Sequence, residues 1–287
     1  MNDFCFFVSD LHGKESKYEK LFTQVGNKKP RALFLGGDLL PASVLQQPGV
    51  PGKDPGFLRD FLLPGFRNLK TRLGDAYPEV FLILGNDDPR FAEPFFLEHQ
   101  SEGLWRYIHD ASFEMDGVTI YGYSYVPPTP FLLKDWERYD VSRYADPGCI
   151  HPTEGFRTVV PDGDVEFETI KKDLARMAGE NQLSRSVFLF HSPPYKTDLD
   201  RAGLDGVMID HVPADVHVGS IAIREFIETQ QPLLTLHGHI HESSRITGAW
   251  KQRINKTWAL SAAYDGAGLA LVRFRLACPG SAERLIV

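Results

Sequence analysis

Five short apolar runs, each closed by aspartate, asparagine or histidine, constrain this chain more than any other feature of it. Residues 4–8 run into Asp10-Leu11-His12, and residues 32–35 into Gly36-Gly37-Asp38. Residues 80–84 run into Gly85-Asn86-Asp87-Asp88, residues 187–190 into His191, and residues 232–236 into His237-Gly238-His239-Ile240-His241. Continuous apolar runs of this length suit strands buried on both faces. Between them the spacing changes to that of helices. Tyr18, Leu21, Phe22 and Val25 recur at helical intervals before Gly26-Asn27, which reads as a stop. Residues 57–73 read as a helix interrupted at Pro64-Gly65, and Phe167, Ile170, Leu174, Met177 and Ala178 as one ended by Gly179. Ile223, Phe226 and Ile227 mark another, with Ser220 as its N-cap. Strands alternating with helices give an α/β chain.

Other stretches carry less. Asp116-Gly117 between two β-prone runs predicts a hairpin with a type I′ turn. Residues 41–56, rich in proline and glycine, read as a loop, and residues 91–109 as helical or irregular, with His99 and His109 at the surface. Residues 256–261 and 269–276 read as strands. Residues 126–161 lose periodicity while holding Phe131, Trp136, Tyr139 and Tyr144. So long a stretch within one domain is either a lid facing substrate or a surface excursion packed by its own aromatics.

Composition narrows the function. The chain has 287 residues, read as one domain spanning 1–287, and a net charge of −7, which argues against nucleic acid as a partner. The three cysteines Cys5, Cys149 and Cys278 are too few and too scattered for a disulfide framework or a CxxC zinc site. The apolar run at 4–8 is too short to span a membrane and lacks a basic flank and a cleavage site. The expectation is a soluble, cytoplasmic protein.

Each strand-end motif alone has an ordinary explanation as a turn or a cap. Five at the same end of five strands fall where open α/β sheets build their sites. His239 and His241, at alternate positions, point the same way if the backbone there stays extended. Imidazole and carboxylate without thiolate suit manganese, iron or zinc, and hold too much nitrogen for calcium or magnesium. Seven ligands exceed one tetrahedral zinc and suggest two metal ions sharing a carboxylate.

The ordered set Asp10-x-His12, Gly37-Asp38, Gly85-Asn86, His191 and Gly238-His239-x-His241 resembles the calcineurin-like metallophosphoesterases. The resemblance implies an α/β fold with two mixed sheets in a four-layer αββα sandwich. It implies a metal-dependent phosphoric ester hydrolase, in which hydroxide activated at a binuclear centre attacks a small phosphorylated substrate. Mapped onto this sequence, Asp10, His12 and His241 would hold one divalent ion, Asn86, His191 and His239 the other, and Asp38 would bridge them. The family usually follows the asparagine with a catalytic histidine. Here Asp87 stands in its place.

A carboxylate beside two dications has a lowered pKa and is a poor acid. The expectation is a phosphodiesterase favouring good leaving groups; His151, His217 and His237 are candidate substitute acids, each read first as structural. Three rival readings stand beside it. One is a catalytically silent scaffold on the same fold, and a second is a nuclease, for which no Lys/Arg run is present. The third is a binding protein organised by a structural metal, for which the ligands are too many.

Overall fold

The computed structural model describes residues 2–41, 56–161 and 163–287, so the loop expected at 41–56 falls almost wholly outside the described residues. Two six-stranded mixed sheets lie face to face. In the first, β1 (Phe4–Val8), β2 (Ala32–Gly36) and β3 (Glu79–Ile83) run parallel, with short β4 (Arg106–Tyr107) beside β3. The second holds the antiparallel hairpin of β5 (Ala111–Met115) and β6 (Val118–Tyr123), then β7 (Ser186–Phe190) parallel to β6. A small ribbon, β8 (Met208–Ile209) with β9 (Val212–Pro213), stands apart, and β10 (Leu234–His237) continues the second sheet. Antiparallel β11 (Lys251–Ile254) and parallel β12 (Thr257–Ser261) complete that sheet, while β13 (Ala270–Arg275) and β14 (Glu283–Ile286) add an antiparallel edge to the first.

Side-chain alternation makes the layers. Cys5, Phe7, Phe34, Phe81 and Ile83 face Ile120, Val187, Leu189, Leu234 and Leu236 across the inter-sheet core. The opposite faces of β1–β3 carry Phe6, Val8, Leu33, Leu35 and Leu82, which pack on Tyr18, Leu21 and Val25 of α1 (Glu15–Lys28) and on Phe66 and Leu69 of α2 (Leu63–Leu73). On the far side Tyr121, Phe188 and Phe190 meet Ile170 and Leu174 of α4 (Ile170–Ala178) and Ile223 and Ile227 of α5 (Ile221–Gln230). Between them in sequence, α3 (Glu93–His99) precedes β4, and α6 (Ser243–Thr247) follows β10. Strands buried on both faces are why the sequence shows continuous apolar runs instead of alternation. The arrangement is the four-layer αββα sandwich expected from the resemblance.

Local expectations hold or fail for physical reasons. Both turn residues of the β5–β6 hairpin have positive φ, 53° at Asp116 and 71° at Gly117, as a type I′ turn requires. Ser220 caps α5, accepting the Ile223 N–H at 3.0 Å, and Gly179 follows the last residue of α4. Gly26-Asn27, expected to end α1, lies inside it. The helix continues to Lys28 and is capped by left-handed Lys29, at φ 49°. Gly26 serves close packing: a Cβ there would meet Arg72 Nη2 at 2.0 Å. Pro64 does not break the 57–73 helix: a π-helical turn over Phe57–Leu62 precedes it, and the backbone stays right-handed helical through Leu62 and Leu63 into α2. Phe167 lies outside α4. His109 is not a surface residue in character. Its Nδ1 accepts the Ser124 N–H, and its ring packs edge-on against Trp136 and Tyr125.

The 126–161 excursion forms no helix or named strand, yet it is tied down. Trp136 and Tyr139 are buried, as is the Lys134–Glu137 ion pair, whose lysine also donates to the Thr129 carbonyl. Asp135 accepts the Arg90 N–H at 2.7 Å and the Thr158 N–H at 2.8 Å. Asp140 accepts Ser220 Oγ and the Ile221 N–H, both at 2.6 Å, at the start of α5. The excursion therefore joins Arg90, four residues after Asn86, to the start of α5.

Candidate metal centre

All seven residues singled out in the sequence meet at the carboxyl end of the two sheets. β1, β2 and β3 of the first sheet deliver Asp10, His12, Asp38 and Asn86, and β7 and β10 of the second deliver His191, His239 and His241. Asp10, His12, Asp38 and His241 form one group able to hold a cation, and Asp38, His191 and His239 form another. Within each group the candidate ligand atoms lie within 4.8 Å of one another, and Asp38 belongs to both.

Unusual backbone aims these side chains. Asp10, His12, Asp38 and His239 all have left-handed φ, at 58°, 47°, 52° and 74°. Such conformations are uncommon outside glycine, and aspartate and histidine tolerate them better than most residues. The left-handed turn at His239 overturns the expectation that His239 and His241 point the same way along an extended segment. It sends them to different groups. The first two loops pair past the ends of their strands, Asp10 N–H to the Gly37 carbonyl at 3.0 Å and His12 N–H to the Asp38 carbonyl at 2.8 Å. Ser9 Oγ donates to Asp10 Oδ2 at 2.6 Å, and the His239 N–H donates to Asp10 Oδ1 at 3.0 Å. Gly238 permits this closeness, since a Cβ there would stand 1.9 Å from Ser9 Oγ.

The imidazole tautomers are set from behind. His191 Nδ1–H donates to the Gly36 carbonyl at 2.7 Å. Its Nε2 then faces Asn86 Oδ1 at 3.0 Å and Asp38 Oδ2 at 3.2 Å. Asn86 turns its amide nitrogen away, donating to Asp87 Oδ1. His241 Nε2 lies 3.2 Å from Asp10 Oδ1 and 3.1 Å from His12 Nε2.

Burial opposes charge throughout the site, and at Asp10, Asp38, His191 and His241 the partners overrule it. His241 holds the Asp10 carboxyl well below its ordinary range against the cost of burial, and His191 holds Asp38 down to about 2. In return Asp38 lifts buried His191 to about 10, and Asp10 lifts His241 to about 9. His239 is pushed down to about 3 by burial and by His191. The donor set fits divalent metal.

A model of the family described as calcineurin-like phosphoesterase matches residues 6–243. The chain belongs to the calcineurin-like phosphoesterase family. Among solved structures it is similar to TT1561 of Thermus thermophilus, at 14% identity and TM-score 0.57, covering 100% of this chain and 99% of that one. It is also similar to a dimetal phosphatase from Danio rerio, at 11% identity and TM-score 0.52, covering 95% and 92%. At these identities the likeness is one of fold. No curated protein matches the sequence.

In this member of the family, Asp87 sits beside the cluster. Its N–H donates to Asp38 Oδ1 at 2.9 Å, and its Oδ2 lies 3.6 Å from His12 Nδ1. Burial and the Asp38 charge push its carboxyl up to about 6. None of the three substitute acids belongs to either group. His237 is fully buried between the Ser192 carbonyl and Thr235 Oγ1, and burial pushes it down to about 4. His151 pairs with the Tyr139 hydroxyl, and His217 with Asp200.

The residue that sequence reasoning passed over is Asp88. It is fully buried and accepts the N–H groups of Leu39 at 3.0 Å, Leu40 at 2.7 Å and Gly85 at 2.9 Å. One carboxylate thereby fixes the loops that carry Asp38 and Asn86. Asp88→Ala leaves three buried donors without acceptors, and we expect a loss of about 3 kcal/mol. The melting temperature should fall by roughly 5 °C. A melting temperature within error of the parent would show that the loops do not depend on Asp88.

Among the described residues, no helix is long and apolar enough to cross a membrane.

Proposed function

We propose that the chain is a binuclear metal-dependent phosphoesterase that hydrolyses phosphodiesters of good leaving groups. One observation carries the reading: Asp38 belongs to both cation-holding groups, so its carboxylate can be shared by two ions. Asp10, His12 and His241 would complete one coordination shell, and Asn86 Oδ1, His191 and His239 the other. When bound, a pair of divalent cations such as manganese, iron or zinc clamps a phosphoryl group and makes a water molecule acidic enough to attack it.

The protein's own groups do the rest. The Gly36 carbonyl holds His191 in the tautomer that turns Nε2 inward. Ser9 and the His239 N–H orient Asp10, and the Asp87 N–H orients Asp38. Asp87 itself faces the cluster with a carboxyl, which gives up its proton easily beside dications and then has none for a leaving oxygen. Good leaving groups need no such proton. The Danio rerio protein of similar fold is a dimetal phosphatase, which supports a two-ion site.

The test is hydrolysis of p-nitrophenyl phosphate and of bis(p-nitrophenyl) phosphate by purified protein with added manganese. We expect metal-dependent turnover of both esters, faster on the diester by about tenfold or more. Two bound ions without turnover of either ester would favour a binding scaffold, and no bound ion would remove the proposal.

A further inference from the structure

A cavity of about 180 Å³ lies between the 126–161 excursion and the segment from Tyr195 to Ile221, and none of the seven cluster residues lines it. Pro127, Pro147 and Ile209 give it apolar walls. Its charged lining is one-sided: Asp140, Asp146 and Asp215 contribute carboxylates, and no lysine or arginine takes part.

Two of these carboxylates are already engaged. Asp140 caps α5, so the positive end of that helix is met and calls for no anion. Asp215 accepts the Tyr195 hydroxyl at 2.6 Å and the His217 N–H at 2.9 Å. The Asp146 side chain is exposed, and its carboxylate has no hydrogen-bond partner among the described residues. No lysine or arginine pairs with it among the described residues.

The rings divide in the same way. Lys196 Nζ already lies 5.2 Å from the Tyr195 ring centroid. Tyr144, on the cavity rim, is 58% exposed and has no ring or cation against it among the described residues. Val212, also in the lining, is 55% exposed. Large apolar side chains left in water at the mouth of a concave, apolar-walled space mark a binding surface. A phosphate would be repelled here. An unpaired carboxylate and an unoccupied phenol ring lining one cavity are the chemistry that holds an ammonium group, through charge and through the ring face.

We propose that this cavity is a second binding site, for an organic cation of the alkylated ammonium class, held between Asp146 and Tyr144. The site is independent of metal and of phosphoester hydrolysis. Its test is titration of the full chain with choline and with dimethylbutanol, its neutral carbon isostere, by calorimetry and by NMR of the histidine and tyrosine side chains. We expect choline to bind about tenfold more tightly than the alcohol and to shift the Tyr144 and His217 signals. Asp146→Asn and Tyr144→Ala should each weaken choline about fivefold or more, with the melting temperature unchanged because both side chains are exposed. Equal binding of the two compounds, unweakened choline binding in both variants, or no heat and no shift at millimolar choline would each overturn the proposal.

Discussion

Asp38→Asn is expected to lower manganese-dependent hydrolysis of bis(p-nitrophenyl) phosphate about a thousandfold while leaving the fold intact. The substitution is nearly isosteric. An asparagine oxygen can still accept the Asp87 N–H that Asp38 Oδ1 accepts at 2.9 Å, so the loop after β3 keeps its anchor. What disappears is the charge on Oδ2, which lies 3.2 Å from His191 Nε2 and 3.9 Å from His12 Nε2 and so faces both groups. Losing a shared anion penalises both ions at once. We therefore expect the metal content to fall together with the rate, and circular dichroism to stay unchanged. Two ions per chain with an undiminished rate would mean that Asp38 does not bridge.

The second large effect is a gain. Asp87→His should speed hydrolysis of alkyl phosphodiesters by about a hundredfold and change aryl esters little, because a positioned general acid helps only where the leaving oxygen needs a proton. The position suits an imidazole. Asp87 Oδ2 already lies 3.6 Å from His12 Nδ1, and the side chain is 44% exposed, leaving room for a ring. Without dications, burial and Asp38 lift the Asp87 carboxyl to about 6. Loaded with dications the same carboxyl would titrate lower and be ionised near neutral pH. A series of esters with graded leaving groups measures this directly: the steep dependence on leaving-group acidity in the parent should flatten in the variant. An unchanged slope would sink the argument that Asp87 limits proton transfer.

The sandwich and its site were legible for one physical reason. Strands covered on both faces must be apolar throughout, so β1, β2, β3, β7 and β10 appear as uninterrupted runs and their polar ends stand out. Edge strands are covered less. Lys251, Gln252 and Arg253 of β11 give no apolar signal, and most of β14 is exposed, so both went unseen. β4 is two residues long and was absorbed into a stretch read as helical or irregular. Asp88 looked like a turn residue because its partners are backbone N–H groups of two loops far apart in sequence. The fixing of residues 126–161 was hidden in the same way. It rests on isolated pairings and on Lys134, Asp135, Glu137 and Asp140, charged residues whose burial no periodicity announces.

The left-handed backbone at Asp10, His12, Asp38 and His239 also limits how such a sequence can drift. Glutamate would coordinate a cation as well as aspartate does, but its longer side chain has no local hydrogen bond to offset a positive φ, and a β-branched residue there would be more costly still. Aspartate, asparagine and histidine belong to the few side chains that both ligate metal and accept that conformation cheaply. At these four positions the alphabet is cut twice, once by coordination and once by torsion angle. The motif can thus persist as legible text after the strands around it have exchanged one apolar residue for another.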